Sequence, residues 1–134
     1  MAGSVTIYKN NRIGNWRMIT LKWTSDGSGD VADVGSVNLP RCQINSFLSL
    51  PGASVTDEFD LTIPTEIYLP DGSTVSFADM LFGAGADLSN STNGEVKNLP
   101  NPVAIPSNSR IEIKIANAGA TKSGHLWLIF WEED

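Results

Sequence analysis

The chain is expected to be all-β, an antiparallel two-sheet sandwich of jelly-roll type, with an immunoglobulin-like sandwich as the alternative. Three observations predict this. Apolar residues recur with period two far more often than with the helical period. The apolar segments are short and are separated by clusters of Gly, Pro, Asn and Asp. The segments amount to about eight strands with no helix long enough to cover a sheet, and a jelly roll is the usual eight-strand solution.

Residues 5–8 open as a strand, ended by the polar run 9–15. In residues 16–24, Ile19, Leu21 and Trp23 share one face while Met18, Thr20, Lys22 and Thr24 share the other, so one face is core. Residues 25–30 (Ser-Asp-Gly-Ser-Gly-Asp) form a dense turn signal, because glycine reaches positive φ and Asp or Ser side chains bond their own backbone. Extended segments follow at 31–39 and 42–50, split by Pro40. Phe59, Leu61 and Ile63 alternate with polar residues, Pro64 interrupts, and Ile67 to Leu69 leads to the Pro70-Asp71-Gly72 turn. Residues 76–82 suggest one helical turn, with Thr74 or Ser76 as cap and Gly83 as terminator. From Gly83 to Pro106 the composition predicts a long irregular connection with one edge strand near Val103 to Ile105, the kind of loop that serves as a contact surface. Residues 110–115 place three isoleucines on one face and charges on the other.

The last strand, residues 124–131, is large and apolar on both faces and then meets Glu132, Glu133 and Asp134. A half-exposed strand alternates apolar with polar, so this one needs cover from its own core and from something else. His125, Trp127, Ile129 and Trp131 face one way, opposite Leu126, Leu128 and Phe130. One of these sets is expected to face another chain. The interface candidates are therefore His125, Trp127, Ile129, Trp131, Phe130 and Trp16.

Length supports one domain over residues 1–134, with 1–15 readable as an N-terminal arm, and a core that needs no disulfide or metal. With 41% hydrophobic and 18% charged residues the composition is that of a folded chain rather than a disordered one. Fifteen acidic against nine basic residues give a formal charge of -6, which repels phosphate backbones and anionic lipid, so neither nucleic acid nor membrane is an expected partner. No apolar run approaches a membrane span, and the first four residues do not resemble a secretory signal, so synthesis in a cytoplasm is the simplest expectation. Cys42, the single cysteine, reads as a small buried hydrophobe.

No catalytic or cofactor motif is present, and the chain is expected to be non-enzymatic, with no cofactor and no firm metal site. Asp26, Ser28 and Asp30, with Asp33 beyond, are alternating oxygen ligands and a weak calcium candidate, but the downstream bidentate glutamate of a calcium loop is missing and an ordinary turn explains them. His125, the only histidine, lacks a sequence-defined orienting carboxylate and reads as structural or interfacial. Asp57, Glu58 and Asp60 could serve glycoside hydrolysis, yet at a strand start they read better as solvated edge charges. Trp16, Trp23, Trp127 and Trp131 fit either buried core and interface area or a sugar-stacking platform, and the first is preferred.

Residues 20–31 (TLKWTSDGSGDV), 56–62 (TDEFDLT) and 116–124 (ANAGATKSG) resemble small virion structural proteins of tailed double-stranded DNA bacteriophages. The Asp71-Gly72 turn leading through Met80-Leu81 into residues 83–87 is similar too, and together these stretches span most of 19–130. The resemblance implies a head-associated β-sandwich that decorates or cements the capsid surface of a virion as a homo-oligomer, a trimer, with the major capsid protein as partner. It transfers no active-site residues. The alternative reading is a carbohydrate-binding module, receptor-reading or lectin-like.

Overall fold

The computed structural model describes residues 3–105 and 108–132, with side chains described except at 32–35, 100 and 101. Ten strands follow in chain order: β1 (Ser4–Ile13), β2 (Trp16–Thr24), β3 (Val31–Leu39), β4 (Cys42–Pro51), β5 (Asp60–Thr62), β6 (Thr65–Tyr68), β7 (Thr74–Phe77), β8 (Glu95–Ile105), β9 (Ser109–Ala116) and β10 (Ser123–Glu132). One antiparallel sheet has the order β1-β2-β10-β4-β8, and the other has β3-β9-β6-β7 with β5 also on β9.

β5 and β6 run one after the other along the same edge of β9, at Lys114 to Ala116 and at Ser109 to Ile111. Between them the Glu112 N–H donates to the Pro64 carbonyl at 2.9 Å, so the proline, which has no N–H of its own, interrupts the strand without ending it. With β5 and β6 taken as one interrupted strand, β2-β10-β4-β8 faces β3-β9-β6-β7, which is the strand order of a jelly roll with β1 added beside β2. An immunoglobulin sandwich would place its strands as ABED and CFG, and this order excludes it.

Alternation decides the core. Ile19, Leu21 and Trp23 of β2, Ile44 and Phe47 of β4, and Leu126, Leu128 and Phe130 of β10 are buried against Ile111, Ile113 and Ile115 of β9. Gly124 sits opposite Trp23 in the β10–β2 register. A Cβ at this glycine would lie 2.7 to 2.9 Å from three atoms of the Trp23 indole, a ring with no exposed surface that also packs on Phe59. Gly124→Ala is therefore expected to cost about 1–3 kcal/mol by overpacking, read as a lower urea midpoint at unchanged slope.

Three expectations change. Residues 4–13, read as a short strand within an arm, form one long strand paired with β2 as far as Ile13↔Trp16. The two-residue Gly14-Asn15 loop, with Gly14 at φ 60, closes this hairpin, and a register shift between Ile7 and Lys9 admits the polar residues. The expected helical turn at 76–82 is absent: Ser76 and Phe77 belong to β7, and the Asp79 carboxylate accepts N–H bonds from Ile63, Leu81 and Gly83, which holds the chain in a turn. The region from Gly83 onward is less irregular than its composition, because Glu95–Ile105 pairs with β4 across a register shift between Ile44 and Ser46. Pro106 lies outside the described residues. Glu132, the last residue of β10, is buried at 1% exposure.

Candidate functional site

The two faces of β10 have different surroundings. Leu126, Leu128 and Phe130 point into the sandwich, whereas His125, Trp127, Ile129 and Trp131 point outward and are only half-buried. Phe130 is thus a core residue with 1% exposure, not an interface candidate, because the alternation carries it inward opposite Ile44. Trp23, likewise, is core.

The outward set is joined by neighbours on both sides. The register places Trp16, Met18 and Thr20 of β2 beside Trp131, Ile129 and Trp127, and Leu48 and Leu50 of β4 beside Trp127 and His125. Trp16 and Trp131 meet edge to face with centroids 4.8 Å apart. Tyr8 reaches from β1 to stack on His125 at 6.2 Å, and His125 in turn lies 6.1 Å from Trp127. A groove of about 860 Å³ runs over this face, walled by Tyr8, Ile13, Trp16, Met18, Trp127 and Ile129. Ile13 is 80% exposed, Trp16 47% and Met18 42%, and Val96 on the β8 side is 62% exposed. Monomers seldom leave so contiguous an apolar face to water unless it binds something.

Polar groups occur within the groove as well. Asn11, Asn45 and Asn98 border it, and their side-chain amides make no hydrogen bond to another described residue. Sequence reading singled out Trp16, His125, Trp127, Ile129 and Trp131 of this face but missed Tyr8, Ile13 and these three amides. Their neighbours in space come from β1, β4 and β8, and only the strand order brings them together.

At one end the groove is bounded by an ionic cluster. Glu132 ends the inner row of β10, and its carboxylate is engaged by Arg17 and by Arg12, the latter at 3.1 Å. The Glu132 N–H donates to the Asn15 carbonyl at 2.7 Å, and the Asn15 amide donates back to the Glu132 carbonyl at 2.6 Å, which ties the end of β10 to the β1–β2 hairpin loop. Cys42 pairs with Glu132 in the ladder. Burial first, and then the Glu132 charge, push its thiol up to about 12 from an ordinary 9.0. A catalytic thiolate would need the opposite shift.

The Cys42 shift has a definite sign. A folded-state pKa above the unfolded value contributes stability that is fully present below about pH 9 and is lost as pH rises toward 12, because the unfolded chain gives up its proton first. The alkaline fall in denaturation midpoint over that window should be shallower in Cys42→Ala, and the native thiol should stay unreactive toward a disulfide reagent until the chain unfolds.

The remaining candidates are occupied by the fold. Asp26 Oδ1 accepts from the Ser28 N–H at 2.8 Å and the Asp30 N–H at 3.0 Å, and these bonds, that from Asp30 foremost, hold its carboxyl below the usual range. Asp30 Oδ1 faces the Asn117 N–H at 3.3 Å. The side chain of Asp33 lies outside the described set. Among the described residues no group of three or more His, Cys, Asp or Glu could hold a metal ion. Asp57 accepts from the Asn90 N–H, and Asp60 uses one oxygen for the Asp87 N–H and the other for the Asn117 amide. These carboxylates tie loops together. Among the described residues no helix is long and apolar enough to cross a membrane.

No protein-family model and no curated protein matches the chain. Three structural likenesses exist. The structure of the infectious bursal disease virus Gx strain has a TM-score of 0.46 and 13% identity, covering 92% of this chain and 33% of that one. A study of the promiscuous specificity of carbohydrate-binding modules from the β-sandwich superfamily supplies the second, at 0.41 and 14%, covering 98% and 54%. TmCBM61 in complex with β-1,4-galactotriose is the third, at 0.38 and 11%, covering 97% and 88%. The chain thus spans about a third and about half of the first two. The fold assignment stands on the strand order of this chain itself.

Proposed function

We propose that this chain is a non-enzymatic virion structural protein that packs against other protein subunits through the outer face of the β1-β2-β10-β4-β8 sheet. The observation that carries the reading is the apolar groove on that face, walled by Ile13, Trp16, Met18, Trp127 and Ile129 and left uncovered by the described residues. Aliphatic groups there favour protein over sugar: Ile13, Met18, Ile129 and Val96 offer area for a desolvated contact but no ring face for a pyranose. The resemblance of residues 20–31, 56–62 and 116–124 to phage head-associated proteins supplies the setting, a capsid surface with the major capsid protein as partner. A small rigid sandwich that bridges capsomers there strengthens a shell under pressure from packed DNA, and several weak contacts on one oligomer add up through avidity.

The test is co-sedimentation of the purified chain with shells assembled without it. Saturable attachment at a fixed number of sites is expected, and failure to attach under any salt condition removes the reading.

One observation favours a second reading. The amides of Asn11, Asn45 and Asn98, which bond no other described residue, stand beside Tyr8, Trp16 and Trp127 in the groove. Ring faces next to free amides are what sugar recognition requires, since the rings cover the C–H face of a pyranose while the amides bond its hydroxyls. A glycan array read together with tryptophan emission decides between them: a hit that shifts emission and blocks shell attachment assigns the groove to sugar.

A further inference from the structure

We infer that β7 is a strand-addition edge on which a second copy of this chain pairs antiparallel about a two-fold axis, joining the two β3-β9-β6-β7 sheets into one. Among the described residues the outermost strands are β1, β8, β3, β7 and the short β5; the 85–88 loop covers β5, whose Leu61 N–H donates to the Gly85 carbonyl at 2.8 Å, and β1, β8 and β3 carry devices that discourage pairing. β1 holds Lys9 and Arg12 and a register shift between Ile7 and Lys9. β8 holds Lys97 and Pro102 and faces β4 across a shift. β3 has its ladder broken twice, between Val31 and Val34 and between Val34 and Val37. β7 carries no charge, no proline and no bulge, and its shortness is its one protection.

The inner side of this strand is also incompletely covered. Val75 and Phe77 lie opposite the buried Ile67 and Thr65 and so point toward the core side, yet Val75 is 41% exposed and Phe77 36%. The reason is topological: β1 lies against β3 and closes that side of the sandwich, while the substantial packing of β7 is with β6 alone.

The backbone supplies a register. The Leu69 N–H donates to the Ser73 carbonyl at 2.8 Å, and alternation from that bond turns the N–H and C=O groups of Val75 and Phe77 toward β6. Thr74 and Ser76 therefore present theirs at the free edge. A copy related by a two-fold through Val75 sets Thr74 opposite the copy's Ser76 at both ends, so all four outward groups of each strand are satisfied. The two Val75 side chains then meet at a non-hydrogen-bonded position, where opposed Cα atoms are about 4.5 Å apart. Such pairing is self-complementary, as an isologous contact must be, and it needs no charge match. A second copy brings a strand of the same length and alternation to this edge, and it is the partner to which the inference commits.

This inference is independent of the shell-binding reading, and it gives a two-chain unit where the resemblance implies three. Analytical ultracentrifugation of the full chain should show the two-chain mass. Ser76→Pro removes an outward N–H and leaves the β6 ladder intact, so it should halve the mass while the far-ultraviolet dichroism stays that of the folded chain, and the midpoint should lose its dependence on protein concentration. Val75→Cys should form a disulfide-linked dimer on mild oxidation, since Cα atoms at that spacing can be bridged and Cys42 is buried. If Ser76→Pro compromises folding, the Val75→Cys cross-link decides. A wild-type chain of single mass whose Val75→Cys variant stays a free thiol overturns the inference. So does a mass insensitive to Ser76→Pro but reduced by substitutions on the Trp127 face, a result that would leave the proposed function standing. Failure of shell attachment with the Ser76→Pro effect intact would do the reverse.

Discussion

A chain carrying Met18→Lys together with Ile129→Glu is expected to lose attachment to shells by at least about 100-fold, roughly 3 kcal/mol, while remaining folded. Met18 and Ile129 are opposed in the β2–β10 register on the outer face, and neither belongs to the sandwich core. The exchange introduces one charge of each sign across a single cross-strand pair, so the ladder keeps a favourable partner and the net charge stays at -6. What changes is the cost of docking: two apolar groups that would be desolvated at little expense become two charges that must be desolvated. Attachment is read by co-sedimentation, and integrity by far-ultraviolet dichroism and the urea midpoint. Unchanged attachment would move the contact to another surface of the molecule.

The second large effect concerns stability. Glu132→Ala should destabilise the fold by about 2–3 kcal/mol, somewhat below the usual loss for breaking a buried ion pair because both arginines keep part of their surface in water. The carboxylate is buried and engaged by Arg17 and Arg12, whose side chains retain 21% and 37% exposure. Removing the acid leaves two cations facing each other across the Arg12↔Arg17 position of the β1–β2 hairpin. The hairpin loop itself should stay fastened, because its bonds are to the residue-132 backbone N–H and carbonyl, which alanine keeps. Glu132→Gln should recover part of the loss by retaining hydrogen-bond acceptance. Denaturation midpoints of the three proteins give the order, and a Glu132→Ala midpoint equal to that of the native chain would show the cluster to be energetically neutral.

The strands with strict alternation were legible in the sequence with nearly their observed bounds. β2 and β9 follow an apolar period of two, β3, β4 and β10 stand out as extended runs between turn residues, and the described inward residues of all five belong to the core. The places where reading failed share a physical cause. β1 continues through Lys9, Asn10, Asn11 and Arg12 because an edge strand tolerates polar residues and a bulge, which period counting does not register. β7 resembled a helical turn because four residues with an apparent cap cannot distinguish one period from another. β8 was hidden by prolines and polar residues, which an edge strand also tolerates. The burial of Glu132 has no local signal, since it depends on Arg12 and on Arg17, the latter 115 residues earlier in the chain.

By itself the sequence determined the fold class, the position of the core and the two-faced character of β10, because side-chain alternation is a local property that each strand carries within itself. It also determined that His125, Trp127, Ile129 and Trp131 share a face. Which of the two faces turns outward, and what stands beside it, was decided only in the tertiary structure. β10 is inserted between β2 and β4 by a jelly-roll crossover, and that placement sends Phe130 inward and assembles Tyr8, Ile13, Asn45 and Asn98 from strands far apart in the chain into one groove. Pairing of this kind is a long-range choice made by the whole core, so no single segment encodes it.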